Sequence, residues 1–142
     1  MTSCADSSFL FSLYVQDANS HAAVARIRKA IPPLLFTDLG ELEIVNGVAL
    51  RLFRQELQPV EAKEALALFR RDTESGVVRI VPLPSSAYQQ AAQIAGRHTP
   101  ALGTRTLDVL QVASAVVLKA DTFYTFDQKQ ARLATALGLR VP

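Results

Sequence analysis

Short stretches with strand character alternate along this chain with longer segments of helical periodicity, and that alternation restricts the fold more than any other feature. TSCA (2–5), LLFT (34–37), VVRIVPL (77–83), TFYT (122–125) and LRVP (139–142) are the strand candidates. The first is weak in strand propensity, and VVRIVPL is the most β-branched. Strands separated by helices cannot be joined as hairpins. They pair in parallel, with the helices covering both faces. In such sheets functional groups gather beyond the carboxyl ends of the strands.

The segments between the strands carry helix signals. Asp6-Ser7-Ser8 supplies capping residues before FLFSLY, and Ser20 can cap HAAVARIRKAI, which Pro32-Pro33 stops. Asp38 is the next candidate cap. Leu42, Val45, Ala49, Leu52 and Phe53 then recur at i, i+3, i+4 spacing up to Gln55. Pro59 opens another helix, as proline does in a first turn, and Gly76 closes that unit. After Pro84 a helix reaches about Arg97, and the Gly, Pro and Thr of HTPALGTR (98–105) predict an exposed loop. Thr106 can cap LDVLQVASAVVLKA, apolar on nearly every face and so buried on several sides. QKQARLATAL follows Asp127 as the last helix, with Gly138 at its C-cap.

Four acids stand where this pattern expects apolar structure. Asp6 and Asp127 directly follow the first and fourth strands. Glu43 lies about a turn into the helix after the second strand, and Asp108 is in the first turn of the most apolar helix. Each has a local explanation, as a cap, a helix-surface residue or a complement to the helix dipole. Topology nevertheless allows all four to converge at one edge of the sheet. Clustered carboxylates raise one another's pKa, and a hard divalent cation such as Mg²⁺ or Mn²⁺ relieves that penalty through oxygen ligands. A metal so held can activate water and steady the charge on a phosphodiester.

Composition bounds the rest. The 142 residues suit one domain, 1–142, and 49% hydrophobic residues suffice for a packed core. No run is long enough to span a bilayer, and the N-terminus lacks the basic region of a signal peptide. The single Cys4 cannot form an intramolecular disulfide, which fits a reducing, cytoplasmic setting. Net charge is only +2, but with the four acids set aside nine acids remain against 15 bases, about +6 around a negative hole. That distribution suits a polyanion, and Arg97, His98 and Arg105 are candidate phosphate contacts near Asp108. The two histidines, His21 and His98, have no cysteine partners for a zinc site, and Cys4 has no visible activating partner. Neither a phosphate-binding P-loop nor a dinucleotide fingerprint occurs.

Taken in order, Asp6-Ser7-Ser8, Thr37-Asp38-Leu39 followed by Glu43-Ile44-Val45-Asn46, Arg105-Thr106-Leu107-Asp108-Val109-Leu110-Gln111-Val112-Ala113 and Thr125-Phe126-Asp127 resemble the PIN domain, most closely the VapC-type toxins of toxin–antitoxin pairs. The resemblance covers essentially the whole chain, and RTLDVLQVASA is its most specific part. It implies an α/β/α three-layer fold with a short, mostly parallel sheet of about five strands. It implies Mg²⁺- or Mn²⁺-dependent endoribonuclease activity, with Asp6, Glu43, Asp108 and Asp127 as metal-binding acids. Thr125 and Ser7 match polar positions that orient the acids and the water. It further implies an RNA substrate, a homodimer and a small antitoxin that blocks the site. Two departures stand out: TSCA is less apolar than the usual first strand, and Gln111 stands where relatives often carry histidine, although glutamine also fits the pattern.

Two other functions compete. A catalytically inert PIN-like module that only binds RNA or protein would share the fold, but intact acids argue against it. A phosphoacceptor signalling domain needs an acid after its middle strand, where this chain has Leu83-Pro84.

Overall fold

The computed structural model describes residues 1–142. Strands β1 (Ser3–Ala5), β2 (Leu34–Thr37), β3 (Val78–Val81) and β4 (Thr122–Tyr124) form one parallel sheet in the order β3-β2-β1-β4. Cys4 pairs with Leu35 on one side and Phe123 on the other, which makes β1 central despite its weak propensity. Burial compensates: all three of its residues are buried. β2 continues the sheet with Leu34 opposite Val78 and Thr37 opposite Val81.

Alternation along the strands assigns side chains to the two faces. Ala5, Leu34, Phe36 and Tyr124 pack with α1 (Ser7–Tyr14), α2 (Ser20–Ile27), α3 (Asp38–Phe53) and α4 (Pro59–Glu74). Cys4 and Phe123 turn the other way, into a core with Ile94, Val112 and Leu133 from α5 (Ala87–Leu102), α6 (Thr106–Val117) and α7 (Gln128–Ala136). Both faces of the sheet are therefore covered, as expected for parallel strands.

Two expectations change. The sheet has four strands, because LRVP contributes only a single bridge, Thr122 to Arg140. Leu139 sinks into the α5–α7 core instead, and Pro142 has no N–H with which to lengthen the ladder. The expected loop 98–105 is mostly helix: α5 runs through Pro100 to Leu102. Pro100 forgoes one intrahelical hydrogen bond. The extensive packing of α5 on α6 holds the helix nonetheless. Gly103, left-handed at φ 63°, then ends it by donating to Thr99 O at 2.8 Å. Caps also move by one residue. Thr37, not Asp38, caps α3, and Arg105 occupies the cap position of α6.

Candidate active site

The carboxyl ends of β1 and β4 lie side by side and lead into helix N-termini. Asp6 caps α1, its Oδ1 accepting from Phe9 N at 3.3 Å and from Ser8 Oγ at 2.8 Å. Asp127 caps α7, its Oδ1 accepting from Gln130 N at 2.8 Å. Asp108 comes from the first turn of α6, and Glu43 from the second turn of α3. Glu43, Asp108 and Asp127 line one cleft of about 700 Å³ with Arg105, Leu107 and Lys129. Asp6 lines neither this cleft nor its neighbour. It is buried, 3% exposed, directly after the central strand.

Two chains of hydrogen bonds with the same chemistry hold two of these acids. In the first, Gly40 N donates to Thr37 Oγ1 at 3.1 Å, Thr37 Oγ1 donates to Gln111 Oε1 at 3.1 Å, and Gln111 Nε2 donates to Glu43 Oε1 at 2.6 Å. In the second, Asp127 N donates to Thr125 Oγ1 at 3.0 Å, Thr125 Oγ1 donates to Gln130 Oε1 at 3.0 Å, and Gln130 Nε2 donates to Asp108 Oδ1 at 3.1 Å. A backbone N–H takes a lone pair on each threonine, so the hydroxyl proton points at the glutamine carbonyl. The glutamine NH₂ must then face the carboxylate. Both glutamines are 3% exposed, so neither amide has another partner to turn to.

Ser8 links the first acid to this network. Its hydroxyl donates to Asp6, accepts from Phe126 N at 3.0 Å and stands 3.3 Å from Thr125 Oγ1. Ser8, rather than Ser7, therefore bonds Asp6. Ser7 lines the adjoining cleft and lowers the pKa of Glu43. Arg105 lines the acid cleft, whereas Arg97 and His98 lie on α5 and line neither.

Burial dominates the electrostatics. It pushes the Asp6 carboxyl up to about 7, against the lowering effect of Ser8, Phe9 N and Thr125. Burial also raises Glu43, which Gln111 and Ser7 oppose and the charge of Asp108 reinforces. Asp108 is raised by burial and by Asp127, and lowered by Gln130 and Arg105. Cations beside the three rim acids are Arg105 and Lys129, and Lys129 is already donating to Gly103 O at 3.2 Å.

The donor set suits a hard divalent cation. It is all oxygen and repulsive within itself. The hydrogen bonds from Ser8 and Phe9 to Asp6, from Gln111 to Glu43 and from Gln130 to Asp108 and Asp127 fall on one oxygen of each acid, with Ser7 and the Arg105 backbone adding to Glu43 and Asp108. As the side chains stand, no group of three or more carboxylate, histidine or cysteine side chains is arranged to hold a metal ion.

Ser8 and Gln130 belong to the site although the sequence does not mark them as functional. Asp127-x-x-Gln130 has the spacing of a capping box, a detectable signal. Here, however, the Gln130 side chain turns to Thr125 and Asp108. Gln111 is visible in the sequence only as a departure from the family pattern.

The PIN domain family model matches residues 3–136, and the chain belongs to that family. Two solved structures share the fold. One is VapC20 of Mycobacterium tuberculosis, described as a sarcin-ricin loop cleaving toxin; at 19% identity and TM-score 0.70 the match covers 97% of this chain and 96% of that one. The other is FitAcB from Neisseria gonorrhoeae, at 18% identity and TM-score 0.68, covering 97% and 94%. No curated protein matches the chain significantly. No helix is long and apolar enough to cross a membrane.

Proposed function

We propose that this PIN-domain protein is a Mg²⁺- or Mn²⁺-dependent endoribonuclease and the toxin of a toxin–antitoxin pair. The observation that carries the reading is the cleft that Glu43, Asp108 and Asp127 line together with Arg105 and Lys129, with Asp6 buried at the end of the neighbouring strand. The likeness to VapC20, a toxin that cleaves the sarcin-ricin loop, supports RNA as the substrate class.

In this reading Asp108, Asp127 and Glu43 hold the cation, and buried Asp6 completes the set of acids at the end of β1. When bound, the cation supplies positive charge to the phosphodiester and eases deprotonation of a water. The chain's own residues do the rest. Gln111 and Gln130 fix Glu43 and Asp108 as hydrogen-bond acceptors, which favours their ionised forms. Thr125 and Ser8 keep Asp127 and Asp6 in register across β1 and β4. Arg105 and Lys129 attract the RNA backbone to a site whose unneutralised acids would repel it. Hydrolysis forms a bond from the water oxygen to phosphorus and breaks the bond to the ribose leaving oxygen. Cytoplasmic residence, a homodimer and a small antitoxin partner complete the proposal.

The test is cleavage of synthetic RNA by purified, partner-free protein. Activity is expected with Mg²⁺ or Mn²⁺, and none with EDTA or in Asp108→Asn. An Asp108→Asn variant as active as the wild type would take the acid cleft out of the chemistry, and no metal-dependent cleavage of any RNA offered would favour an inert binding module.

A further inference from the structure

A second cleft, of about 630 Å³, continues the acid cleft and shares its wall residues Glu43, Leu107 and Asp127. Its floor is one stripe of α3. Glu43, Asn46, Gly47, Leu50, Arg51 and Arg54 recur at intervals of three and four residues, so they lie on one side of the helix. The stripe is about 16 Å long at the rise of an α-helix. It is acidic at the end that faces Asp127 and basic at the other.

The basic end is held in place by packing. A Cβ on Gly47 would come within 2.6 Å of Phe11 Cε2, so only glycine lets that ring lie against the helix. The guanidinium of Arg51 sits over the same ring, 4.0 Å from its centroid. Phe126, also in the cleft wall, carries Arg26 at 4.9 Å. Arg54 forms no ion pair, and the only acid near Arg51 is Glu56 at 3.9 Å. Asp17, the remaining acid of the cleft, is taken up by Ser12 Oγ and Asn19 N.

We propose that this α3 cleft is a subsite for single-stranded RNA, seating the nucleotides on one side of the scissile phosphate. The inference rests on the nuclease reading of the acid cleft and gives the strand a direction across it. One backbone phosphate lies at Asp108 and Asp127, and the strand then runs along α3 to Arg51 and Arg54. A guanidinium held over an aromatic ring offers both charge to a phosphate and a surface on which a base can stack. The amide of Asn46, which forms no side-chain hydrogen bond within the protein, is free to meet a base edge. Continuity with the acid cleft favours a nucleic acid over an acidic peptide, because only the former supplies a phosphodiester where the acids are.

The experiment uses the full chain in EDTA and a short fluorescein-labelled single-stranded RNA. Fluorescence anisotropy is recorded over a range of salt. Arg54→Gln and Arg51→Gln should each weaken binding. Each should also reduce the slope of log K against log salt by about 0.7, the change for one phosphate no longer neutralised. Gly47→Ala, which dislodges Phe11, should weaken binding in the same direction. Lys63→Gln, exposed on α4, is the control and should match the wild type. Arg51 and Arg54 variants that keep wild-type affinity and slope overturn the subsite. So do losses equalled by Lys63→Gln, or a cleft that prefers polyglutamate to RNA. Arginine-dependent RNA binding without any metal-dependent cleavage would sink the nuclease reading and leave a binding cleft. Cleavage with binding indifferent to both arginines would do the reverse.

Discussion

Gln111 Nε2 donates to Glu43 Oε1 across 2.6 Å, joining α6 to α3 over 68 positions of sequence. The bond has a direction because Thr37 occupies the other end of the amide. Without that hydroxyl the amide could turn its oxygen towards the carboxylate. Positioning of Glu43 thus begins at the cap of α3 rather than in the cleft.

Replacing Thr37 should therefore act at a distance. Thr37→Val removes the proton that orients Gln111, whereas Thr37→Ser keeps it. Mn²⁺ affinity, followed by electron paramagnetic resonance, is expected to fall about 10-fold or more in Thr37→Val, the usual scale for partners of metal ligands, and to survive in Thr37→Ser. Equal affinities in the two variants would show that the orientation of the amide does not matter.

Gln130 holds Asp108 and satisfies Thr125, so Gln130→Leu breaks two hydrogen bonds at once. It leaves the buried Thr125 hydroxyl without its acceptor, a cost of about 1–3 kcal/mol. Urea unfolding should show that loss with an unchanged m-value. A variant as stable as the wild type would place water or another acceptor at Thr125.

Metal-free protein should be most stable in mild acid. Burial raises the Asp6 pKa to about 7, above the ordinary carboxylate value of about 3.9 that applies in the unfolded chain. The fold thus prefers the neutral acid. Its contribution is complete below the unfolded pKa and is lost as pH rises through the folded one. The stability difference between wild type and Asp6→Asn should change between about pH 4 and pH 7 and level off above. A difference independent of pH in that window would contradict the buried acid.

In the absence of metal, like charges at this site oppose folding. Asp108 is raised in pKa by Asp127 and itself raises Glu43. Asp108→Asn should stabilise the metal-free protein by roughly 0.5–2 kcal/mol while abolishing cleavage, the usual exchange between stability and function. Thermal unfolding in EDTA checks the first half. A less stable Asp108→Asn would mean that its bond from Gln130 outweighs the repulsion.

Much of the architecture is legible in the sequence. Strand and helix order follows from where β-branched runs and 3.6-residue periods fall, and Pro59 opens α4 as expected. Pro100 misleads, because a local breaker loses to the packing of α5 along α6. LRVP misleads in the other direction, since a single bridge does not make a strand. For the site, the acids are conspicuous as charges in apolar surroundings. Ser8 and Gln130 are not, because serine in a first turn and glutamine in a helix are ordinary surface residues until their burial is known.

The sequence alone determined the alternation, and with it a parallel sheet whose carboxyl edge receives Asp6 and Asp127. Period and capping are local properties, and they survive translation into three dimensions. Only the tertiary structure decided which side chains hold each acid and that Asp6 is buried while the other three line a cleft. It also decided that a stripe of α3 ends in two arginines beside the cleft. Those relations depend on groups as far apart as Thr37 and Gln111, and no local rule links them. They arise because packing limits each buried polar group to the few partners within its reach, and which partners those are depends on the whole fold.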